Sequence, residues 1–253
     1  MVTIHILKCL EDNYGYIIHN ESTGEAITID VPEAAPIEHK ISELGATLKA
    51  VLLTHHHADH IDGLPDLTSK NHIVFGARQD ARRLPKLDVE LDVGSTFEVA
   101  GIAFKVMNGD GHTIGQIIYY APELGALFSA DSLMTWGCGR LFEGTPAQAF
   151  ETLDAINKLP ADTLIYSGHN YGEMGGKFAM SLGADLETIK VRMDKIKSQN
   201  AAGEPIVPVR LSEEQATNPF LQNHNDGYAA KLNIAELSPV ERFTHIRKLR
   251  DNF

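Results

Sequence analysis

The segment Thr54-His55-His56-His57-Ala58-Asp59-His60 limits what this chain can fold into more than any other stretch. It runs straight on from Leu48 to Thr54, a mostly apolar run that reads as a buried strand. Residues two apart at a strand end point to one face, so His55 and His57 present two imidazoles together. Such a pair can hold one cation at the roughly 2.0–2.1 Å of a Zn–N bond. Asp59 and His60 fall where the chain must turn, and they can reach a second cation. Ions of a hydrolytic pair sit roughly 3.5–4 Å apart, so one short loop can feed both. The competing reading is an exposed histidine patch or an expression tag. An internal segment that contains Asp59 and follows an apolar strand argues for ligation instead.

Upstream and downstream, strands and helices alternate. Ile4 to Leu7, Tyr14 to His19 and Ala26 to Val31 are β-prone runs separated by turn formers, and a helix is expected from about Pro36 to Leu44. Further strands are expected at Ile73 to Phe75, Thr96 to Val99, Ile102 to Val106, Ile117 to Ala121, Ala126 to Ser129 and Thr163 to Ser167. Thr145-Pro146-Ala147-Gln148 is a capping box ahead of Phe150, Leu153 and Ile156 at helical spacing. After Tyr171 the texture turns helical. Asp185 reads as the cap of a helix carrying Ile189, Met193 and Ile196, and Ser212 to Gln215 and Ser238 to Glu241 read as two more capping boxes. A mixed α/β domain over 1–170 and a small helical domain over 171–253 are the expected organisation.

With 253 residues, 43% of them hydrophobic, the chain has enough apolar material for a sizeable core. Its formal net charge of −12 argues against nucleic acid or an anionic membrane as a partner. A small anionic ligand responds to local charge and stays open. The two cysteines, Cys9 and Cys138, form no CxxC pattern, which points to a reducing cytoplasm. No signal peptide is apparent, no run approaches the roughly 18 apolar residues of a membrane helix, and a monomer is expected.

Four side chains cannot complete two metal sites. Residues 54–60 resemble the THxHxDH signature of the metallo-β-lactamase superfamily. By that resemblance a His, a bridging Asp and a last His come from later loops, and this chain offers His112 in Gly111-His112-Thr113, Asp131 in Ser129-Ala130-Asp131-Ser132, and His169 in Ser167-Gly168-His169-Asn170-Tyr171. The resemblance implies an α/β fold, an αββα sandwich with metals at one edge, here followed by the helical domain. It implies that His55, His57 and His112 hold one divalent ion and that Asp59, His60 and His169 hold the other. Asp131 would bridge them, with Asp59 and Asp131 as the catalytic carboxylates. Zinc comes first, although imidazole and carboxylate also accept iron and manganese. Asp30 either orients a ligand imidazole or serves as a turn residue before Pro32. His56 and His5 are assigned supporting or structural roles.

Three stretches narrow the substrate. Gly137 to Thr145 (GCGRLFEGT) looks like a loop of the glyoxalase II family, Asn218-Pro219-Phe220-Leu221 like its NPFL segment, and Arg247 to Phe253 like its basic C-terminus. With Asp12-Asn13-Tyr14, the resemblance spans essentially the whole chain. It implies glutathione binding by Arg140, Phe142, Tyr171, Arg247 and Arg250, and hydrolysis of S-D-lactoylglutathione by a hydroxide shared between the metals. Glutathione carries two carboxylates, so an acidic chain needs a local cationic pocket for it. Arg247 to Arg250 can also be read as cations favoured at a helix C-terminus. Departures from the family pattern are Arg140 for Lys, Phe142 for Tyr and Gln222 for Arg. The first changes donor geometry, and the second removes a hydroxyl. Rival readings are a persulfide dioxygenase or another enzyme of this fold, an RNA-processing nuclease, and a non-catalytic metal-binding module.

Overall fold

Apolar runs broken by turn formers from Val2 onward produce a sheet of six strands in chain order: β1 (Val2–Cys9), β2 (Asn13–Asn20), β3 (Glu25–Ile29), β4 (Thr47–Leu52), β5 (Ile73–Ala77) and β6 (Val89–Leu91). The computed structural model describes residues 1–69, 71–183 and 186–253. They fall into two units, Met1–Gly109 with Ile114–Phe128, and Asp110–Thr113 with Ser129–Phe253.

In the first unit β1 to β3 pair antiparallel and β3 to β6 pair parallel. Parallel neighbours need a crossover, and α1 (Ala34–Glu43) supplies it between β3 and β4. Period-two alternation then sorts the side chains. Ile17, Val51, Leu53 and Val74 pack with Ile37 of α1. Their neighbours Tyr16 and Phe75 point the other way, onto β7 (Thr96–Val99), β8 (Ile102–Asn108), β9 (Ile117–Ala121) and β10 (Ala126–Ala130). Phe75 stacks on Phe97 at 5.0 Å, and Tyr16 meets Phe128 edge-on at 5.6 Å. β7 to β10 pair antiparallel. The unit is thus layered helix, sheet, sheet. A single-turn helix, α2 (Ala58–Ile61), follows β4.

The second unit opens with a short hairpin, β11 (Leu133–Met134) and β12 (Gly137–Cys138). There follow α3 (Pro146–Asn157), β13 (Leu164–Ser167), α4 (Gly172–Ser181), α5 (Leu186–Ala201), β14 (Val209–Arg210), which pairs with β13, and the helices α6 (Leu211–Thr217), α7 (Asp226–Lys231) and α8 (Pro239–Asp251). The Thr145 capping box forms: Gln148 N donates to Thr145 Oγ1 at 3.3 Å, and Thr145 N donates to Gln148 Oε1 at 2.9 Å. Glu241 likewise reaches back to the Ser238 amide at 2.8 Å. The expected box at Ser212 does not form, because α6 already begins at Leu211 and Ser212 lies inside its first turn. Asp185, read as a cap, lies outside the described residues.

α4 has no counterpart in the sequence reading. Gly172, Gly175 and Gly176 depress its helix propensity, yet packing requires two of them. A Cβ on Gly175 would sit 2.7 Å from the Thr135 carbonyl, and one on Gly176 2.6 Å from the Trp136 ring. No helix among the described residues is long and apolar enough to cross a membrane.

Candidate metal centre and cationic cavity

β4 delivers the chain to Thr54 and His55, and Asp30 receives it there. Asp30 closes β3 in a left-handed conformation, φ 55°, a region that Asp visits more readily than bulkier residues. Its Oδ1 accepts the Thr54 amide at 2.8 Å, while its Oδ2 accepts the Thr54 hydroxyl and His60 Nδ1–H, each at 2.8 Å. The Thr54 hydroxyl proton is thereby committed to Asp30. His55 Nδ1, 3.0 Å from Thr54 Oγ1, must then be the donor. Both rings carry their proton on Nδ1 and turn Nε2 outward as ligand atoms. One buried carboxylate therefore sets the tautomers of two imidazoles, and the open question about Asp30 resolves toward orientation rather than a turn.

Within the same loop the rings crowd together: the centroids of His55 and His57 lie 4.8 Å apart, those of His55 and His60 4.3 Å. Asp59, on the first turn of α2, is gripped by Asn13, whose Nδ2 donates to Asp59 O at 3.0 Å and to Oδ2 at 2.9 Å. His56 points away to Asp80, Nδ1 to Oδ2 3.0 Å, and Arg83 Nε donates to the other oxygen at 2.6 Å. Asp80 was missed in the sequence, since nothing near position 80 marks it as a partner of position 56.

The second unit builds its own cluster. Asp131 follows Ala130, which leaves β10 at φ 43°. Asp131 Oδ2 lies 3.3 Å from Nε2 of both His112 and His169. His112 is aimed from behind by Arg140, whose carbonyl accepts its Nδ1–H at 2.7 Å. The GCG loop has a steric reason for its last glycine. Gly139 donates its amide to the Asp131 carbonyl at 2.9 Å, and a Cβ there would fall 2.9 Å from His112 Nδ1. Behind His169 lies Tyr171, the two rings stacked at 4.9 Å and 5°.

Each unit brings together side chains that could hold a divalent ion: His55, His57, Asp59 and His60 in the first, and His112, Asp131 and His169 in the second. His55, His60, His112, Asp131 and His169 are each at most 6% exposed. Burying so many ionisable groups is costly without a compensating charge. His55, His60 and His112 have their Nδ1 atoms occupied and their Nε2 atoms left for ligation, and imidazoles joined by carboxylates are a donor set suited to divalent zinc, iron or manganese. The cluster fits a metal site.

Beside Cys138 in the second unit is a cavity of about 400 Å³ lined by Met134, Cys138, Arg140, Tyr171, Met174, Arg247, Arg250, Asp251 and Phe253. Four of the five residues expected at a substrate site line it. The fifth, Phe142, does not: it is 61% exposed and rests edge-on against His112 at 5.3 Å. The three arginines differ. Arg247 is buried and already paired, NH2 to Asp251 Oδ1 at 2.7 Å and NH1 to the Cys138 carbonyl at 3.2 Å. Burial works against its charge, but Cys138 and Asp251 outweigh that and raise its pKa. Arg250 is held lower, by burial first and by the charge of Arg247 second. Arg140 and Arg250 rest against aromatic rings, Phe142 for the first and Phe178 and Phe253 for the second. Neither makes an ion pair among the described residues. In a chain of net charge −12 this cavity is a local excess of positive charge.

Family models match nearly the whole chain: the metallo-beta-lactamase superfamily over residues 22–169, and the hydroxyacylglutathione hydrolase C-terminus over residues 170–253. The hydroxyacylglutathione hydrolase of Jannaschia sp. (strain CCS1) is 45% identical, the match covering 98% of this chain and 97% of the relative. That of Roseobacter denitrificans (strain ATCC 33942 / OCh 114) is 44% identical over 100% of this chain and 99% of its own. Among solved structures, ETHE1 from Myxococcus xanthus superposes with a TM-score of 0.68 at 25% identity, covering 97% of this chain and 90% of that one.

Proposed function

Because the chain belongs to the hydroxyacylglutathione hydrolase family of the metallo-β-lactamase superfamily, we propose that it hydrolyses S-D-lactoylglutathione and related 2-hydroxyacyl thioesters of glutathione. The products are glutathione and a 2-hydroxy acid, D-lactate in the first case, as in the second step of methylglyoxal detoxification. The observation that carries this reading is Tyr171. It lines the cationic cavity and stacks on His169, so a ligand seated by the arginines lies one side chain from the candidate metal ligands.

We assign His55, His57 and His112 to one divalent ion, Asp59, His60 and His169 to a second, and Asp131 to both, zinc being the first choice. When bound, such ions supply Lewis acidity, lowering the pKa of water and offsetting the charge that develops on a carbonyl oxygen. The chain's own residues do the rest. Asp30 and the Arg140 carbonyl hold the imidazole tautomers, and Asn13 holds the Asp59 carboxylate. Asp59, its side chain 39% exposed, is the more open of the two catalytic carboxylates, while Asp131 is buried. Arg140 and Arg250 bind the carboxylates of glutathione, with Arg247 as a pre-paired neighbour and Tyr171 as a wall. Phe142 is assigned to the rim. The leaving group is a thiolate, whose parent thiol has a pKa near 8.5, so no strong general acid is needed.

Functionally we divide the chain into a catalytic part, 1–170, and a helical substrate-binding part, 171–253. Support comes from the two family models, which meet at residues 169 and 170. We assign the protein to the cytoplasm as a monomer with no nucleic-acid or membrane partner. Both cysteines are free and buried, as a reducing compartment allows. Full-length relatives named as hydrolases disfavour the dioxygenase, the nuclease and the non-catalytic module. Thiol release from S-D-lactoylglutathione by the metal-loaded protein tests the proposal, with an Arg140→Ala/Arg250→Ala variant alongside. The expected result is turnover by wild type and a raised KM in the variant. No thiol release by the wild type overturns it.

A further inference from the structure

The geometry points to Asn218 and Glu214 as positioning residues that brace the hairpin β11–β12, and through it both the candidate metal ligands and the cavity wall. The inference rests on the thioester-hydrolase reading and extends it to a motif that reading leaves without a role. Asn218 opens the Asn218-Pro219-Phe220-Leu221 segment and is fully buried. Its Nδ2 faces three acceptors: Met134 O at 3.3 Å, Gly137 O at 3.2 Å and Glu214 Oε2 at 2.8 Å. Its Oδ1 accepts the Phe220 amide at 3.0 Å, so the side chain cannot turn over. Glu214, 1% exposed, accepts the Trp136 amide on Oε2 at 3.0 Å and is fixed on Oε1 by the Arg192 guanidinium. Two side chains thus seize the hairpin at Met134, Trp136 and Gly137.

The hairpin needs such a grip. Trp136 stands at φ 57°, a left-handed conformation that bulky residues rarely adopt. Immediately beyond it, Gly139 donates to the Asp131 carbonyl and Arg140 accepts from His112 Nδ1. Met134, Cys138 and Arg140 line the cavity. One stretch of backbone therefore aims two candidate ligands and shapes the wall against which the glutathione moiety would lie. A buried, fully committed polar network is well suited to fixing one backbone arrangement.

The test compares Asn218→Ala and Glu214→Gln with Asn225→Ala, which removes the cap of α7 far along the chain from the hairpin. The readouts are KM and kcat for S-D-lactoylglutathione, the Kd of glutathione by calorimetry, and the visible spectrum of Co²⁺-loaded protein, which reports ligand geometry. Asn218→Ala is expected to raise KM and the glutathione Kd on the order of tenfold and to alter the Co²⁺ spectrum. Asn225→Ala is expected to lower Tm while leaving all three as in wild type. If Asn218→Ala lowers Tm alone, the inference is overturned. Should that variant fail to fold, Asn218→Asp, which keeps the acceptor for Phe220 and loses both donors, and Glu214→Gln carry the same expectations. Failure of the thioester reading shows separately, as wild type without thiol release, while glutathione binding and the Co²⁺ spectrum still report on the brace.

Discussion

Asp30 Oδ2 accepts His60 Nδ1–H at 2.8 Å, and through Thr54 the same carboxylate fixes His55, so one residue 25 positions upstream of the histidine loop sets the direction of two ligand atoms. Partners behind metal ligands typically contribute 10–100-fold in metal affinity. Asp30→Ala is therefore expected to weaken Zn²⁺ binding by about that factor in a chelator competition assay. Asp30→Asn, which suits the left-handed backbone and keeps one acceptor, loses less. Equal affinity of wild type and Asp30→Ala would contradict this role.

Tyr171 joins cavity and cluster by stacking on His169. Tyr171→Phe keeps the ring and removes the hydroxyl, and it is expected to raise KM while leaving Zn²⁺ affinity unchanged. Tyr171→Ala removes the stack and is expected to weaken both. Metal titration of the two variants separates the contributions.

Of the cavity's arginines, Arg140 and Arg250 have no carboxylate ion-pair partner among the described residues, whereas Arg247 has Asp251. Hydrogen bonds to charged groups are worth about 1.5–3 kcal/mol. Single Arg140→Ala and Arg250→Ala changes are expected to raise KM roughly 10–100-fold with little loss of Tm. Arg247→Ala is expected to lower Tm as well, because it leaves the Cys138 carbonyl and Asp251 without their donor. KM in all chains that retain the arginines should climb with added salt, as charges are screened.

The thiol of Cys9 is raised to about 11, by burial first and by the negative charge of Glu33 second. Below pH 9 both folded and unfolded chains keep this proton, and the group has no effect on stability. Above pH 9 the unfolded chain releases it while the folded chain does not, so stability falls as pH rises from 9 to 11, by up to tenfold in the unfolding constant per pH unit. Denaturant melts across that range should show a shallower decline in Cys9→Ala than in wild type.

The ligand loop is legible in sequence because it is local. A strand sets a period of two, and four donors crowd into six positions, so chemistry and geometry can be read from one stretch. Asp30 is legible only as one of two alternatives, and Asn13 and Asp80 are not legible as partners, since each meets the loop only after β2, β3 and the segment after β5 are brought beside it. α4 was hidden because its glycines answer to Trp136 rather than to helix propensity. The Ser212 box misled because Leu211, one residue earlier, already begins the helix. Phe142 belongs to the expected loop, yet its ring turns to His112 instead of lining the cavity. Short-range patterns survive translation into structure, and long-range polar partners emerge only from the fold.

Metal dependence of thioester cleavage is the claim on which the rest stands. The direct measurement is the rate of thiol release from S-D-lactoylglutathione by the protein as loaded, after exhaustive chelation, and after adding back two equivalents of Zn²⁺. The expected sequence is turnover, loss and recovery, with no recovery in Asp131→Asn. Undiminished release after chelation, or an Asp131→Asn variant as fast as wild type, would contradict it.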